Sequence, residues 1–545
     1  MHIHLANGLT VALSLALAVF TADVSAAEVA VVSHEPGYYT SLARHLERWL
    51  KQQSIAADFA TPKDMAAALT SAKIAFLVGF NEPTAAELDT LAAYRKRGGR
   101  LVVFYSASPR LAALMDVKPL GYTTAQYPGQ WSSMKFTMRN PPGVPAAIRQ
   151  TSTVLQRATP VAGKGQVLAT WCDRTGRSTG EAAWIATAGG WWMTHVLLAD
   201  GDENLKAQLV AAFVGAAAPQ LWNFKDFVTK AEAEHQRLRA YALKQIPRKG
   251  EIHAVWDHTG CGLYPGDWPR TMKVLQEARV TDLFLNVAGA GFAHYPSKVL
   301  PRSRIFEQEG DQLKACLAAA AGRGIRVHAW ILCFNATRAT PERLKKFAAA
   351  GWRLKTADGS LSEYLDPSNT AVQSYILSAV DEIQALYKVD GIHLDFVRWY
   401  ERSVRPANAA AVISGFVAAA RRHVHRPAWL TTAVLGKYPM CIASVGQDWD
   451  SWLNANLVDF VVPMDYTEDF AKFESFLRQH AMMKAHARKT IIGIGVTANE
   501  SRLGPRQVID QIRLARKYDF PGVALFDLDT TLEKQILPYL KLGLW

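Results

Sequence analysis

The segment VDGIHLDFVRWY, residues 389–400, holds the side chains of this sequence that are best suited to acid–base or nucleophilic chemistry. An apolar run that is interrupted only by His393 ends at Asp395, and Arg398 and two aromatic residues follow. A carboxylate at the end of a strand can act as a nucleophile, a base or an acid, although a lone one can also cap the next helix. His393 lies two residues before Asp395 and faces the same side of a strand. It either contacts a substrate or forms a hydrogen bond inside the fold.

Polar and aromatic side chains also stand at the ends of the other apolar runs. Aromatic faces stack on sugar rings, and carboxylates and amides bind sugar hydroxyls. This pattern predicts a carbohydrate cleft. The substrate-binding residues that we expect there are His393, Arg398, Trp256, Asp257, Asn286, Trp330, Asn335, Tyr466 and Asp527.

Two aspartates form the predicted catalytic pair, because glycoside hydrolysis uses two carboxyl groups. Asp395 is the candidate nucleophile or electrostatic stabiliser, kept ionised by Arg398 and His393. Asp465 lies between Met464 and Tyr466, and this apolar setting favours the protonated acid. The sequence gives no distance between the two carboxyl groups, so their division of roles and the choice between retention and inversion stay open.

A regular alternation of strands and helices positions these residues. The eight candidate strands are residues 252–256, 281–287, 325–332, 391–396, 428–434, 457–464, 490–496 and 522–527. Helical patterns of Ala, Leu, Glu, Lys and Arg separate them. Eight such units over residues 251–545 predict a (β/α)8 TIM barrel, whose active site lies at the carboxyl ends of the strands.

The first half of the chain predicts a separate α/β domain over residues 28–220. Strand-like runs at 29–33, 73–80 and 98–106 alternate with helical patterns, which indicates a parallel sheet covered by helices. Thr84 and Glu87 form a capping-box pattern at the start of one helix. The charged segment 221–250 is the predicted linker helix.

The chain begins with a pattern typical of a secretory signal peptide over residues 1–27. LTVALSLALAVF, residues 9–20, is an apolar run of secretory length, and small residues at 24–27 offer a cleavage site. We therefore expect an exported, periplasmic or secreted protein without an integral membrane segment after cleavage. A retained anchor and a buried strand are the alternatives.

The composition favours a globular, basic protein. Of the 545 residues 49% are hydrophobic, and the formal net charge is +13. Such a charge suits anionic glycans or membrane surfaces, or serves only solubility. No Lys/Arg-rich run with interleaved aromatic residues occurs, so we expect no nucleic-acid partner. The five cysteines are scattered and form no CxxC, and no HxH pair accompanies His253, so no metal or cofactor is expected.

Several blocks of the second half resemble the glycosyl-hydrolase-like family 10, over about residues 251–530. They include AVWDHTG (254–260), FAHYPSKVLP (292–301), VHAWILCFNA (327–336), VDGIHLDFVRW (389–399) and VDFVVPMDY (458–466). The resemblance implies a TIM-barrel glycosidase, with Asp395 and Asp465 at family positions that carry the reaction. It also suggests peptidoglycan glycan strands as a substrate.

The first domain resembles class I glutamine-amidotransferase-like domains, which have a flavodoxin-like sheet. Active members of that family place a cysteine at a tight turn between a strand and a helix. The corresponding turn here reads VVFYSASPRL (102–111), with Ser106 and Ser108 but no cysteine. We therefore expect this domain to be non-catalytic.

The function predicted from these features is an exported glycoside hydrolase that cleaves O-glycosidic bonds of a polysaccharide. The main alternative is a non-catalytic glycan-binding or scaffold protein of the cell envelope. A metal-dependent deacetylase is a third class, and the missing HxH pair counts against it. The oligomeric state stays open.

Overall fold

The structure is a computed structural model that describes residues 27–545 except 35–36, 128, 138–139, 200 and 484–486. The predicted signal peptide therefore lies outside the described residues except for Ala27. The chain divides into a first unit that ends at Phe224 and a second unit, Lys225–Trp545. No helix among the described residues is long and apolar enough to cross a membrane.

The first unit is an α/β domain. Its strands are β1 (Val29–Ser33), β2 (Asp58–Ala60), β3 (Ile74–Val78), β4 (Arg100–Phe104), β5 (Val117–Thr124), β6 (Trp131–Phe136), β7 (Ala147–Ser152), β8 (Val154–Pro160), β9 (Gly165–Cys172), β10 (Ser178–Thr187) and β11 (Gly190–Met193). Its helices are α1 (Tyr38–Gln52), α2 (Met65–Ser71), α3 (Ala85–Lys96), α4 (Pro109–Leu114) and α5 (Glu203–Ala217).

Nine of these strands form one mixed sheet in the order β2-β1-β3-β4-β11-β10-β9-β6-β7. The first five pair in parallel and the rest antiparallel. The order of β2, β1, β3 and β4 is that of flavodoxin-like sheets. The predicted capping box is confirmed, because Thr84 and Glu87 each accept the other's backbone N–H at the start of α3.

The two serines of the turn after β4 form structural hydrogen bonds. The Ser106 hydroxyl donates to the Phe80 carbonyl at 2.5 Å, and the Ser108 hydroxyl accepts the Leu111 N–H as the N-cap of α4. Both serines are buried. The amidotransferase-like character of this domain stays a prediction, since many unrelated functions share such sheets.

The second unit contains the predicted barrel. Its strands are β12 (Ile252–Asp257), β13 (Asp282–Gly289), β14 (Phe292–Ala293), β15 (Arg326–Leu332), β16 (Arg353–Lys355), β17 (Leu361–Leu365), β18 (Gly391–Asp395), β19 (Trp429–Leu435), β20 (Phe460–Met464), β21 (Ile492–Gly495), β22 (Thr497–Ala498), β23 (Ser501–Arg502) and β24 (Gly522–Phe526).

One helix precedes the first barrel strand, and the other helices of this unit follow it in the chain. In chain order the helices are α6 (Phe224–Leu243), α7 (Trp268–Glu277), α8 (Arg304–Glu309), α9 (Gln312–Ala320), α10 (Pro341–Ala349), α11 (Thr370–Leu386), α12 (Ala409–His423), α13 (Met440–Val445), α14 (Trp449–Asn454), α15 (Phe470–Met482), α16 (Pro505–Lys517) and α17 (Leu537–Leu540). A π-helical turn, Leu532–Ile536, precedes α17, and a 3₁₀ turn spans Ala487–Lys489.

Eight parallel strands close the barrel in the order β12-β13-β15-β18-β19-β20-β21-β24, with β24 pairing back to β12. The predicted (β/α)8 fold is confirmed. Each predicted strand corresponds to one barrel strand.

Alternate residues of each barrel strand point to different layers. Ala254, Trp256 and Phe284 belong to the cluster that fills the barrel interior. Their neighbours Val255 and Leu285 belong to the larger cluster between the strands and the helices. This two-residue period decides which strand-end side chains reach the mouth.

The barrel closure generates the first prediction. A Cβ on Gly522 would lie 2.2 Å from the Ile252 carbonyl oxygen, across the β24–β12 pairing. We expect Gly522→Ala to lower the free energy of unfolding by about 1–3 kcal/mol, as overpacking does. Gly415, on the exposed face of α12, has open space around it. The control Gly415→Ala should raise stability by up to about 1 kcal/mol in the same urea titration. A Gly522→Ala protein as stable as wild type would contradict this account of the closure.

Candidate active site

The structure brings most of the predicted residues to the interior and carboxyl end of the barrel. The ones that lie there are Trp256, Asn286, Trp330, His393, Asp395, Arg398, Tyr466 and Asp527. Asp257, Asn335 and Asp465 take other positions.

His393 is a buried interior residue. It stacks on Phe284 with ring centroids 4.1 Å apart. The Trp256 indole N–H donates to His393 Nε2 at 3.1 Å, so the ring carries its proton on Nδ1 and donates to Thr431 Oγ1 at 2.8 Å. Burial, together with the charge of His328, holds the pKa of His393 well below its usual range. The ring is therefore neutral and packs against other interior side chains. It does not supply the positive charge that we expected to keep Asp395 ionised.

Asp395 ends β18 on the same inner face and is 5% exposed. Its Oδ1 accepts the Phe396 N–H at 2.6 Å and lies 3.6 Å from Arg398 Nη1. Burial raises the pKa of Asp395, and the Arg398 charge and the Phe396 N–H oppose that effect without cancelling it. The pKa of this carboxyl group at the barrel mouth is therefore raised above its ordinary value.

Asp527 follows β24 and is partly exposed. Its Oδ1 accepts the N–H groups of His258 at 3.1 Å and Leu528 at 2.7 Å. Burial raises the pKa of Asp527 to about 8, with the negative charges of Asp257 and Asp529 adding to the effect. This carboxyl group is therefore protonated at neutral pH and can donate a proton.

Tyr466 lies within the electrostatic reach of both carboxyl groups. Burial raises its pKa, and the charges of Asp395 and Asp527 are the next largest causes. Its ring stacks on Phe526 at 5.6 Å and packs edge-on against Trp256 at 6.4 Å. Both aspartates lie at the carboxyl ends of barrel strands, and the charges of both act on this phenol.

The structure gives Asp465, the second aspartate of the predicted catalytic pair, a buried contact with a helix. Asp465 directly follows β20 and is fully buried. Both of its carboxylate oxygens lie 3.1 Å from Nε2 of His480, on α15. Because Tyr466 faces the interior, its neighbour Asp465 faces the helix layer. The geometry gives Asp465 a structural contact between strand and helix, and its part in catalysis stays a prediction.

Two predicted substrate-binding residues form hydrogen bonds within their own loops. Asp257 is fully buried and accepts the N–H groups of Thr259, Gly260 and Gly262 at 3.0, 3.0 and 2.6 Å. Asn335 Oδ1 accepts the Thr337 N–H and hydroxyl at 2.9 and 2.7 Å. Both side chains hold a turn, and their acceptor oxygens are already occupied.

Two mouth residues were not predicted from the sequence. The exposed Arg338 donates through Nη1 to Asn286 Oδ1 at 3.2 Å and through Nη2 to His258 Nε2 at 3.0 Å. Burial and the Arg338 charge lower the pKa of His258 to about 4. His258 is therefore neutral, with Trp330 beside it at 5.8 Å between ring centroids. Only the polar strand-end pattern around 254–260 pointed toward His258.

Half-buried aromatic rings flank Asp395 on the other side. Tyr364 stacks on Tyr400 with centroids 4.1 Å apart and an interplanar angle of 7°. The ring centroids of Phe396 and Tyr364 lie 6.0 Å apart. The guanidinium carbon of Arg398 lies 4.1 Å from the centre of the Phe396 ring. These rings offer an apolar face next to the carboxyl group. Among the residues that the structure describes, no three His, Cys, Asp or Glu side chains lie together as a metal site.

Comparisons with known proteins find similarity to glycosyl hydrolases over part of the chain. Residues 267–411 match the family described as Glycosyl hydrolase-like 10. The glycosyl hydrolase DigH of Escherichia coli strain K12 is 30% identical over 141 residues, which cover 22% of this chain and 31% of DigH. The chain thus spans about a third of the length of this curated relative. Residues 267–411, which include Asp395 and Arg398, are thus similar to that family, and the rest of the predicted resemblance stays a prediction.

Two solved structures show similar chain paths at low identity. The PgaB (BpsB) glycoside hydrolase domain of Bordetella bronchiseptica has a TM-score of 0.42 at 14% identity, covering 54% of this chain and 99% of that chain. The catalytic domain 2 of the Ostrinia furnacalis Group II chitinase has a TM-score of 0.38 at 11% identity, covering 54% and 96%.

The buried contact of Asp465 gives the second prediction. Asp465→Asn weakens a hydrogen bond of a buried carboxylate, so we expect a loss of about 1–3 kcal/mol in unfolding free energy. The activity per folded molecule should stay close to wild type, because the side chain faces the helices. Thermal unfolding and a rate assay on the same preparation check both expectations. A large loss of activity at unchanged stability would show that Asp465 takes part in catalysis.

The raised pKa of Asp527 gives the third prediction. The folded protein holds the Asp527 proton up to about pH 8, whereas the unfolded chain releases it near the ordinary aspartate pKa of 3.8. Stability is therefore lost as the pH rises between these values. Asp527→Asn removes this loss while its amide oxygen still accepts the two N–H groups. We expect the stability of the variant relative to wild type to increase from pH 5 to pH 8.5. A difference that does not change with pH would contradict the raised pKa.

Proposed function

We propose that the protein is a glycoside hydrolase that cleaves O-glycosidic bonds of a polysaccharide, with Asp395 and Asp527 as its carboxyl pair. The observation that supports the proposal is that both carboxyl groups lie at the carboxyl ends of barrel strands, Asp395 at the end of β18 and Asp527 directly after β24. The family match to Glycosyl hydrolase-like 10 supports this class of reaction. The pair replaces the predicted combination of Asp395 with Asp465, because Asp465 faces the helices.

Asp527 acts as the general acid in this proposal. Its pKa of about 8 keeps a proton available for the leaving glycosidic oxygen. As the proton moves, the bond between that oxygen and the anomeric carbon breaks, and Asp527 is left as a carboxylate. The N–H groups of His258 and Leu528 stabilise the carboxylate that forms.

Asp395 acts on the anomeric carbon. The adjacent Arg398 favours its ionised form, and this contact distinguishes it from Asp527. Asp395 either bonds to the carbon directly or takes a proton from an attacking water molecule. The stacked rings of Tyr364 and Tyr400 and the half-buried Phe396 provide the apolar face for the sugar.

We further propose that the enzyme is exported and acts on peptidoglycan glycan strands. The secretory pattern at residues 9–20 and the net charge of +13 support this location and an anionic polymer as substrate. A non-catalytic glycan-binding protein is the alternative outcome of the experiment below.

The fourth prediction concerns release of new reducing ends from purified glycan strands. We expect Asp527→Asn to lower kcat by about 10²–10⁴-fold, the usual range for loss of a general acid, and Asp395→Asn to lower it at least as much. Wild-type kcat/KM should fall as the pH rises through about 8, because Asp527 then loses its proton. It should also fall on the acid side as Asp395 becomes protonated.

The matched control is Glu500→Gln. Glu500 is an exposed carboxylate on the β22–β23 hairpin whose charge also reaches Tyr466. The control should keep wild-type activity. If Glu500→Gln loses activity and Asp527→Asn keeps it, the general acid is Glu500 and not Asp527. Glycan binding without any release of reducing ends by the wild type would favour the binding protein.

A further inference from the structure

We propose that the sugar residue bound beside Asp395 carries a carboxylate, and that Arg398 recognises it. The inference rests on the proposed function, because it assigns the substrate class of the same mouth. Its basis is a buried guanidinium group that the protein itself leaves without hydrogen bonds.

Arg398 is 8% exposed. Its Nε and Nη1 are buried and have no hydrogen-bond partner among the described residues. Its charged neighbours are Asp395 Oδ1, 3.6 Å from Nη1, and Glu401 Oε1, 3.3 Å from Nε. Neither contact has the geometry of a hydrogen bond.

This state is energetically costly for a buried cation. A buried donor without a partner loses the hydrogen bonds that it makes to water, a penalty that is greater for charged groups. A ligand that accepts hydrogen bonds from such a group offsets this cost. A guanidinium presents planar pairs of N–H donors, and a carboxylate accepts two of them at once.

The surroundings fit a sugar that carries such a group. The guanidinium lies 4.1 Å from the centre of the Phe396 ring, and Phe396 borders the stacked pair of Tyr364 and Tyr400. A sugar ring on this aromatic face would hold its substituent at the guanidinium edge. The cation, the aromatic face and the carboxyl group of Asp395 therefore form one continuous subsite.

The two acidic neighbours of Arg398 differ in their freedom to move. Asp395 is fixed at the end of β18 and accepts the Phe396 N–H. The side chain of Glu401 is 48% exposed and lies in the loop after β18. A substrate carboxylate therefore takes the place of Glu401, which turns out to solvent, while Asp395 keeps its position for the chemistry.

The test compares two forms of one polymer. Peptide-free glycan strands that keep their sugar carboxylates are assayed beside the same strands after their carboxyl groups are reduced to alcohols. The proteins are the wild type, Arg398→Gln, Arg398→Lys and the control Arg402→Gln. Arg402 is exposed in the same loop, so its variant matches the change in net charge. Thermal unfolding of each variant shows that it is folded.

We expect the wild type and Arg402→Gln to prefer the native strands by about 10- to 100-fold in kcat/KM, the range for hydrogen bonds to charged groups. Arg398→Gln should reduce that preference to within about threefold, and Arg398→Lys should keep part of it. A purely structural effect through Asp395 would lower the rates on both polymers equally, and that result would overturn the proposal. Equal rates of the wild type on both polymers would overturn it as well.

Binding separates this inference from the proposed function. The affinity of each protein for both polymers is measured by calorimetry alongside the rates. A preference for the native strands that depends on Arg398, without hydrolysis, would support the carboxylate subsite and reject the glycosidase. Hydrolysis without a preference in either rate or affinity would support the glycosidase and reject the carboxylate subsite.

Discussion

The alternation of side chains along the barrel strands is the constraint on which the site depends. Successive residues of a strand point to opposite layers, and in a closed barrel one layer leads to the mouth and the other to the helices. Asp465 and Tyr466 are neighbours in sequence, yet Asp465 contacts His480 on α15 while Tyr466 packs against Trp256 in the interior. A shift of one residue would exchange their roles.

Burial then sets the chemistry of the carboxyl groups at the mouth. Asp527 has like charges, Asp257 and Asp529, nearby, and its pKa rises to about 8. Asp395 is more fully buried and has Arg398 beside it. Two carboxyl groups of one type thereby acquire different proton affinities, which is what an acid paired with a nucleophile or base requires. The protein retains this arrangement although ionised buried carboxylates reduce its stability.

The sequence was sufficient to predict the barrel and part of the candidate site. Eight apolar runs separated by helical patterns predicted the eight strands, and residues 391–396 correctly placed Asp395 at a strand end. Strands buried on both faces read as continuous apolar runs, so they do not reveal which of two adjacent residues faces inward. The contact of Asp465 with His480 could not be foreseen for that reason. Arg338 was missed because its contacts with Asn286 and His258 join three loops and strands that are distant in sequence.

A crystal structure of the Asp527→Asn variant with a bound glycan oligosaccharide would test the central claim most directly. The account predicts an intact oligosaccharide across the barrel mouth, with one glycosidic oxygen within hydrogen-bond distance of the side chain at position 527. The anomeric carbon of that bond should face Asp395. An oligosaccharide bound away from the mouth, or one whose glycosidic bonds lie out of reach of both side chains, would contradict it.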